Sequence, residues 1–104
     1  MMTLRDAILE NQNYVDPDEG MYVVFARKTN NAFEPSSEAR ILLLTHQDFE
    51  IEIADYTNTH CPGFDYFLEM NIIQDFWGDL KANQRINQQE KWVKRLIQYA
   101  ENDT

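Results

Sequence analysis

Hydrophobic positions along this chain fall into runs, alternations and helical stripes, and each rhythm predicts a different element. Leu4, Ala7 and Ile8 recur at helical spacing behind Thr3, an N-cap with Asp6 three residues on at the capping-box position. They predict a short first helix that frays at Asn11-Gln12-Asn13. Asp16-Pro17-Asp18-Glu19-Gly20 reads as a turn, because proline and glycine preset the dihedrals and aspartate bonds its own backbone. Within Met21 to Lys28, Tyr22, Val23, Val24 and Phe25 stand in succession. A continuous β-branched and aromatic run predicts a central strand covered on both faces. A polar loop over 29–37, with Phe33 as its notable apolar residue, leads to a second predicted buried strand, Arg40 to Thr45.

After the turn Thr45-His46-Gln47-Asp48 the rhythm changes. Phe49, Ile51 and Ile53 alternate with Glu50 and Glu52, and period two predicts a half-exposed strand, apolar inward and acidic outward. Tyr56 to Gly63 reads as a loop ending in Cys61-Pro62-Gly63. Phe64 to Met70 reads as a fourth strand, with Phe64, Tyr66, Leu68 and Met70 on one face and Asp65, Phe67 and Glu69 on the other. Two helices follow. Asn71 is the expected cap of the first, with Gln74 at the reciprocal position and a stripe of Ile72, Ile73, Phe76, Trp77 and Leu80. Gly78 inside it costs about 1 kcal/mol relative to alanine. Asn87 is the expected cap of the second, with Glu90 at the third position, Trp92, Val93, Leu96, Ile97 and Ala100 inward, and Glu90–Lys94 as an i, i+4 pair. The expected fold is α+β, one domain over residues 1–104: an antiparallel sheet of about four strands with an N-terminal helix and two C-terminal helices packed on it.

Composition sharpens this picture. At 43% hydrophobic residues with only three glycines and three prolines, the chain is not of disordered or fibrous type. Its apolar runs, Ile41 to Leu44 among them, fall far short of a bilayer span. The start Met1-Met2-Thr3-Leu4-Arg5-Asp6 puts an acid where a signal peptide needs apolar residues, and Cys61 is the only cysteine. Both lead us to expect a cytoplasmic protein without disulfides.

Charge separates the chain into two parts. The net charge is −9, and residues 34–79 hold ten acids against one base, Arg40, whereas residues 80–104 hold three acids and five bases. Such a field repels nucleic acid and anionic membranes and attracts basic proteins. Plain solubility is the competing reading of the same charge.

Little in the chain points to chemistry. His46, His60 and Cys61 are the only imidazole and thiol groups, and their spacing does not match the tight four-ligand pattern of a structural zinc site. A Cys61–His46 nucleophile pair would need the fold to bring distant residues together. The acids lie on expected surface positions and lack the burial that tunes a catalytic carboxylate. There is no phosphate-binding or nucleophile-elbow glycine motif. Lys91, Lys94 and Arg95 read as a solvated helix face. We therefore expect no enzyme, no cofactor and no metal ligand; a small hydrolase with an unrecognised site is the reading this sets aside.

What remains is surface. Asp48, Glu50, Glu52, Asp55, Tyr56, Asp65 and Glu69 are the expected partner-binding residues, carboxylates for steering and a tyrosine for contact area. Tyr66, which alternates with Leu68, reads as core. The succession Ile41-Leu42-Leu43-Leu44, an acidic stretch, Phe64-Asp65-Tyr66-Phe67-Leu68-Glu69-Met70 and Asn71-Ile72-Ile73-Gln74-Asp75-Phe76 resembles small acidic bacterial immunity proteins of toxin–immunity systems, including those paired with contact-dependent growth-inhibition toxins. The resemblance spans residues 21–84 and rests on layout, size and charge. It implies a protein, monomeric when free, that binds and neutralises a cognate basic toxin domain, often a nuclease. The alternative is an adaptor or accessory subunit that holds a partner through an apolar patch on the C-terminal helices.

Overall fold

The computed structural model describes residues 1–83 and 89–102. Helix α1 (Leu4–Leu9) is followed by a 3₁₀ turn at Asn11–Asn13, strands β1 (Gly20–Ala26) and β2 (Ala39–Thr45), and a 3₁₀ turn at Asp48–Glu50. Helix α2 (Ile53–His60), strand β3 (Asp65–Glu69) and helices α3 (Met70–Asn83) and α4 (Gln89–Asn102) complete the order. The fold is α+β, and among the described residues the sheet has three antiparallel strands in the order β2-β1-β3 rather than about four.

The capping box forms as expected: Thr3 accepts from the Asp6 backbone N–H, and Asp6 accepts from that of Thr3. That contact, first from the Thr3 backbone and then from its hydroxyl, holds the Asp6 carboxyl below its ordinary range. β1 is central, and Val23 through Ala26 are buried. Gly20 is required at its start, because a Cβ there would sit 2.0 Å from the Leu44 carbonyl oxygen. The polar loop contains a tight turn: Asn30 and Asn31 both have positive φ, and Thr29 and Ala32 exchange two backbone hydrogen bonds around them. Asparagine tolerates that conformation better than other non-glycine residues. β2, read from sequence as buried, is an edge strand, and Leu43 is partly in solvent.

Strand alternation sends successive side chains to opposite faces. One face carries the larger core, where Val24, Ala26, Ala39, Phe67 and Leu68 meet Leu4 and Ile8 of α1, Ile73 and Trp77 of α3, and all five expected inward residues of α4. The other face carries Val23, Phe25 and Leu44, covered by Tyr56, Cys61 and Phe64. The register of β3 breaks at a bulge: Val24 opposes Leu68 while Phe25 opposes Tyr66. A bulge adds one residue to one strand. Strict alternation over Phe64–Met70 is thereby overturned. Phe67 and Leu68 both enter the larger core, and Glu69, opposite Val23, moves to the face of Tyr66.

α3 begins at Met70, two residues before the Ile72 start that an Asn71 cap predicts. Asn71 therefore lies inside the helix rather than capping it, and its Oδ1 is buried with no hydrogen-bond partner among the described residues. Gln74 does not close a capping box; its side chain donates to the backbone carbonyls of Asn11 and Tyr14 and ties α3 to the first 3₁₀ turn. The expected cap Asn87 lies outside the described residues, as does the side chain of Leu80. Glu90 is held by Arg5 across α1 and α4, with Lys94 a lesser influence on it. Among the described residues, no helix is long and apolar enough to cross a membrane.

Candidate partner-binding surface

The largest departure from the sequence reading creates this surface. Residues 49–53 are not a strand. Asp48 Oδ2 accepts from the Thr45 backbone N–H at 2.8 Å and from its hydroxyl at 3.1 Å, which turns the chain sharply at the end of β2. The 3₁₀ turn Asp48–Glu50 follows, then two extended residues, Ile51 (φ −96°, ψ 140°) and Glu52 (φ −60°, ψ 141°), before α2 starts. The period-two alternation survives locally but has no strand to pair with. Phe49, Ile51 and Ile53 are 43%, 47% and 40% exposed instead of facing a core.

The predicted loop over 56–63 is mostly α2. Its sequence, Ile53-Ala54-Asp55-Tyr56-Thr57-Asn58-Thr59-His60, is poor in strong helix formers. Thr57 and Thr59 bond back to the carbonyls of Ile53 and Asp55, a mode that satisfies the hydroxyl within the helix. Tyr56 points inward. It stacks on Phe25 with centroids 6.1 Å apart and against His60 at 4.4 Å, and only 5% of it reaches solvent. It belongs to the core beneath α2, so its expected place among surface contacts is corrected. Cys61 is likewise fully buried, and burial pushes its thiol up, away from the thiolate form. His46 meets the Asp18 carbonyl, far from the His60–Tyr56 pair in its contacts. Among the described residues no three His, Cys, Asp or Glu side chains gather as a metal site.

Phe49, Ile51 and Ile53 wall a pocket of about 280 Å³ whose lining also includes the buried Val23 and Leu44, with Asp48, Tyr66 and Glu69 beside them. Tyr66 leans edge-on against Phe25, and burial, then the charge of Glu69, pushes its hydroxyl up. A second depression of about 300 Å³ shares Ile53 and Tyr66 and adds Asp65, Thr57, Asn58 and Lys28. The two therefore form one continuous surface. Of the seven expected contact residues, Asp48 and Glu69 line the first depression and Asp65 the second, while Glu50, Glu52 and Asp55 are exposed on the segment that walls them. Asp48 also holds the turn, so its role is partly structural.

The sequence reading missed the apolar half of the surface: Phe49, Ile51 and Ile53 were expected inside. The spacing Thr45-x-x-Asp48 is the signal for the sharp turn, since the aspartate caps the backbone three residues before it. A separate depression of about 280 Å³ on the C-terminal helices is lined by Ile72, Asp75, Phe76, Asp79 and Tyr99, with the Phe76 and Tyr99 rings 5.2 Å apart. Lys91, Lys94 and Arg95 are exposed on α4.

No protein-family model, curated protein or solved structure matches the chain.

Proposed function

We propose that this protein is an immunity-type inhibitor that binds a basic toxin domain through the surface of residues 48–69 and neutralises it by occlusion. One observation carries the reading: three large apolar side chains stand in solvent within five residues, interleaved with Glu50 and Glu52 and flanked by Asp48 and Asp55. Exposing that much apolar surface in one place costs solvation and marks an interaction site. An apolar centre with a charged surround matches the anatomy of a protein interface. The charge adds speed, because opposite fields raise association rates towards about 10⁸–10⁹ M⁻¹s⁻¹ at low salt. Toxin domains that act on nucleic acid carry the basic surface such a field attracts.

The test is to co-express the chain with the product of its neighbouring operon gene and purify the complex. A stoichiometric basic partner whose toxicity the chain suppresses supports the reading; a lone monomer and unrelieved toxicity defeat it. Association should slow steeply between about 50 and about 500 mM salt while dissociation changes little. The adaptor reading has its own observation in the Ile72, Phe76 and Tyr99 depression, and a salt-independent association rate would favour it.

A further inference from the structure

We infer that the pocket over Val23 and Leu44 is an anchor site for one large apolar side chain of the partner, set beside a lysine or arginine of the same segment. This deepens the reading above and rests on it. At about 280 Å³ the pocket has room for one large apolar side chain. Its floor is apolar, with Val23 and Leu44 buried, and its walls are the exposed Phe49, Ile51 and Ile53. Anchors of this kind carry most of the energy of a protein interface.

Charge selects what accompanies the anchor. Glu69 stands on the pocket only because the β3 bulge turns it to the face of Tyr66; Asp48 lines the other part of the rim, and Glu50 and Glu52 flank the walls. A second copy of this chain would bring the same acids against them, since a twofold interface sets a patch against itself. A basic partner meets no such repulsion.

The experiment uses the intact protein with methyl-labelled Ile, Leu and Val, titrated with phenethylammonium, neutral 2-phenylethanol and anionic 3-phenylpropionate. The cation should shift the methyls of Val23, Leu44, Ile51 and Ile53 saturably and bind about threefold more tightly than the neutral probe, the worth of one exposed ion pair. The anion should bind most weakly, and Glu69→Gln should narrow the gap between cation and neutral probe. Silence of these methyls with all three probes, equal or reversed ranking, or shifts confined to Ile72 would overturn the assignment. A free-protein dimer that Ile51→Glu dissolves would assign the patch to a second copy and overturn it as well. The titration contains no partner. Success here with failure of the operon complex would sink the neutraliser reading and leave the pocket, and the reverse outcome would do the opposite.

Discussion

The two faces of the sheet are finished to different degrees. One is closed by α1, α3 and α4, and its side chains from Leu4 to Ala100 form one buried cluster. The other is covered by the eight-residue α2 and the segment leading into it, and at the Val23–Leu44 end that cover stays half in water. The Asp48–Thr45 turn sends Phe49, Ile51 and Ile53 along the rim. The contrast separates residues that hold the fold from residues kept for contact, since apolar area that is not removed from water contributes little to folding.

The sharpest way to break that contrast is to delete a large side chain from each face. Phe67→Ala, from the closed core and the Phe33 edge contact at 5.1 Å, should cost about 3–5 kcal/mol of unfolding free energy in urea. Ile51→Ala should stay within about 0.5 kcal/mol, as a surface substitution. Equal losses would mean that residues 49–53 are core after all.

Cys61→Ser probes the buried part of the second face. In the loop that the sequence pattern predicts, such a change would cost within about 1 kcal/mol, as a substitution outside the core. Its full burial beside Tyr56 and Phe64 raises the expectation to about 2 kcal/mol, because a hydroxyl is costlier to bury than a thiol even with Arg40 beside it. A thermal melt unchanged from wild type would refute the burial.

Charge reversal tests contact without touching the core. Glu50→Lys with Glu52→Lys should leave the melting temperature nearly unchanged and weaken partner binding at least tenfold, about 1.4 kcal/mol. Lys91→Glu with Lys94→Glu, on the exposed side of α4, should leave binding unharmed or slightly improved. If the second pair abolishes binding and the first does not, the interface lies on the C-terminal helices.

The smallest expected effect is a gain. Gly78 is exposed in α3, and a Cβ there would meet nothing within 4 Å. Gly78→Ala should stabilise the protein by about 0.5–1 kcal/mol, through lower unfolded-chain entropy, and leave binding at the 48–69 surface unaltered. A loss of stability would show that the helix uses the glycine for a close contact.

Sequence alone determined the elements whose signals are local and mutually consistent. The Thr3–Asp6 capping box, the run through Phe25 and the α4 stripe from Trp92 to Ala100 each combine periodicity with the right boundary or composition, and each forms where expected. Tertiary structure decided the rest. Alternation at 49–53 states that apolar residues share a side, but whether that side meets a core depends on a neighbouring strand, and the Thr45–Asp48 turn removes the chance of one. α2 forms against its own weak propensity because Tyr56 gains burial on Phe25. The β3 bulge leaves no mark in the period of Phe64–Met70, yet it exchanges the faces of Leu68 and Glu69 and so places an acid on the pocket. Local pattern fixes which residues travel together, whereas the partner they meet is set by contacts between segments far apart in the chain.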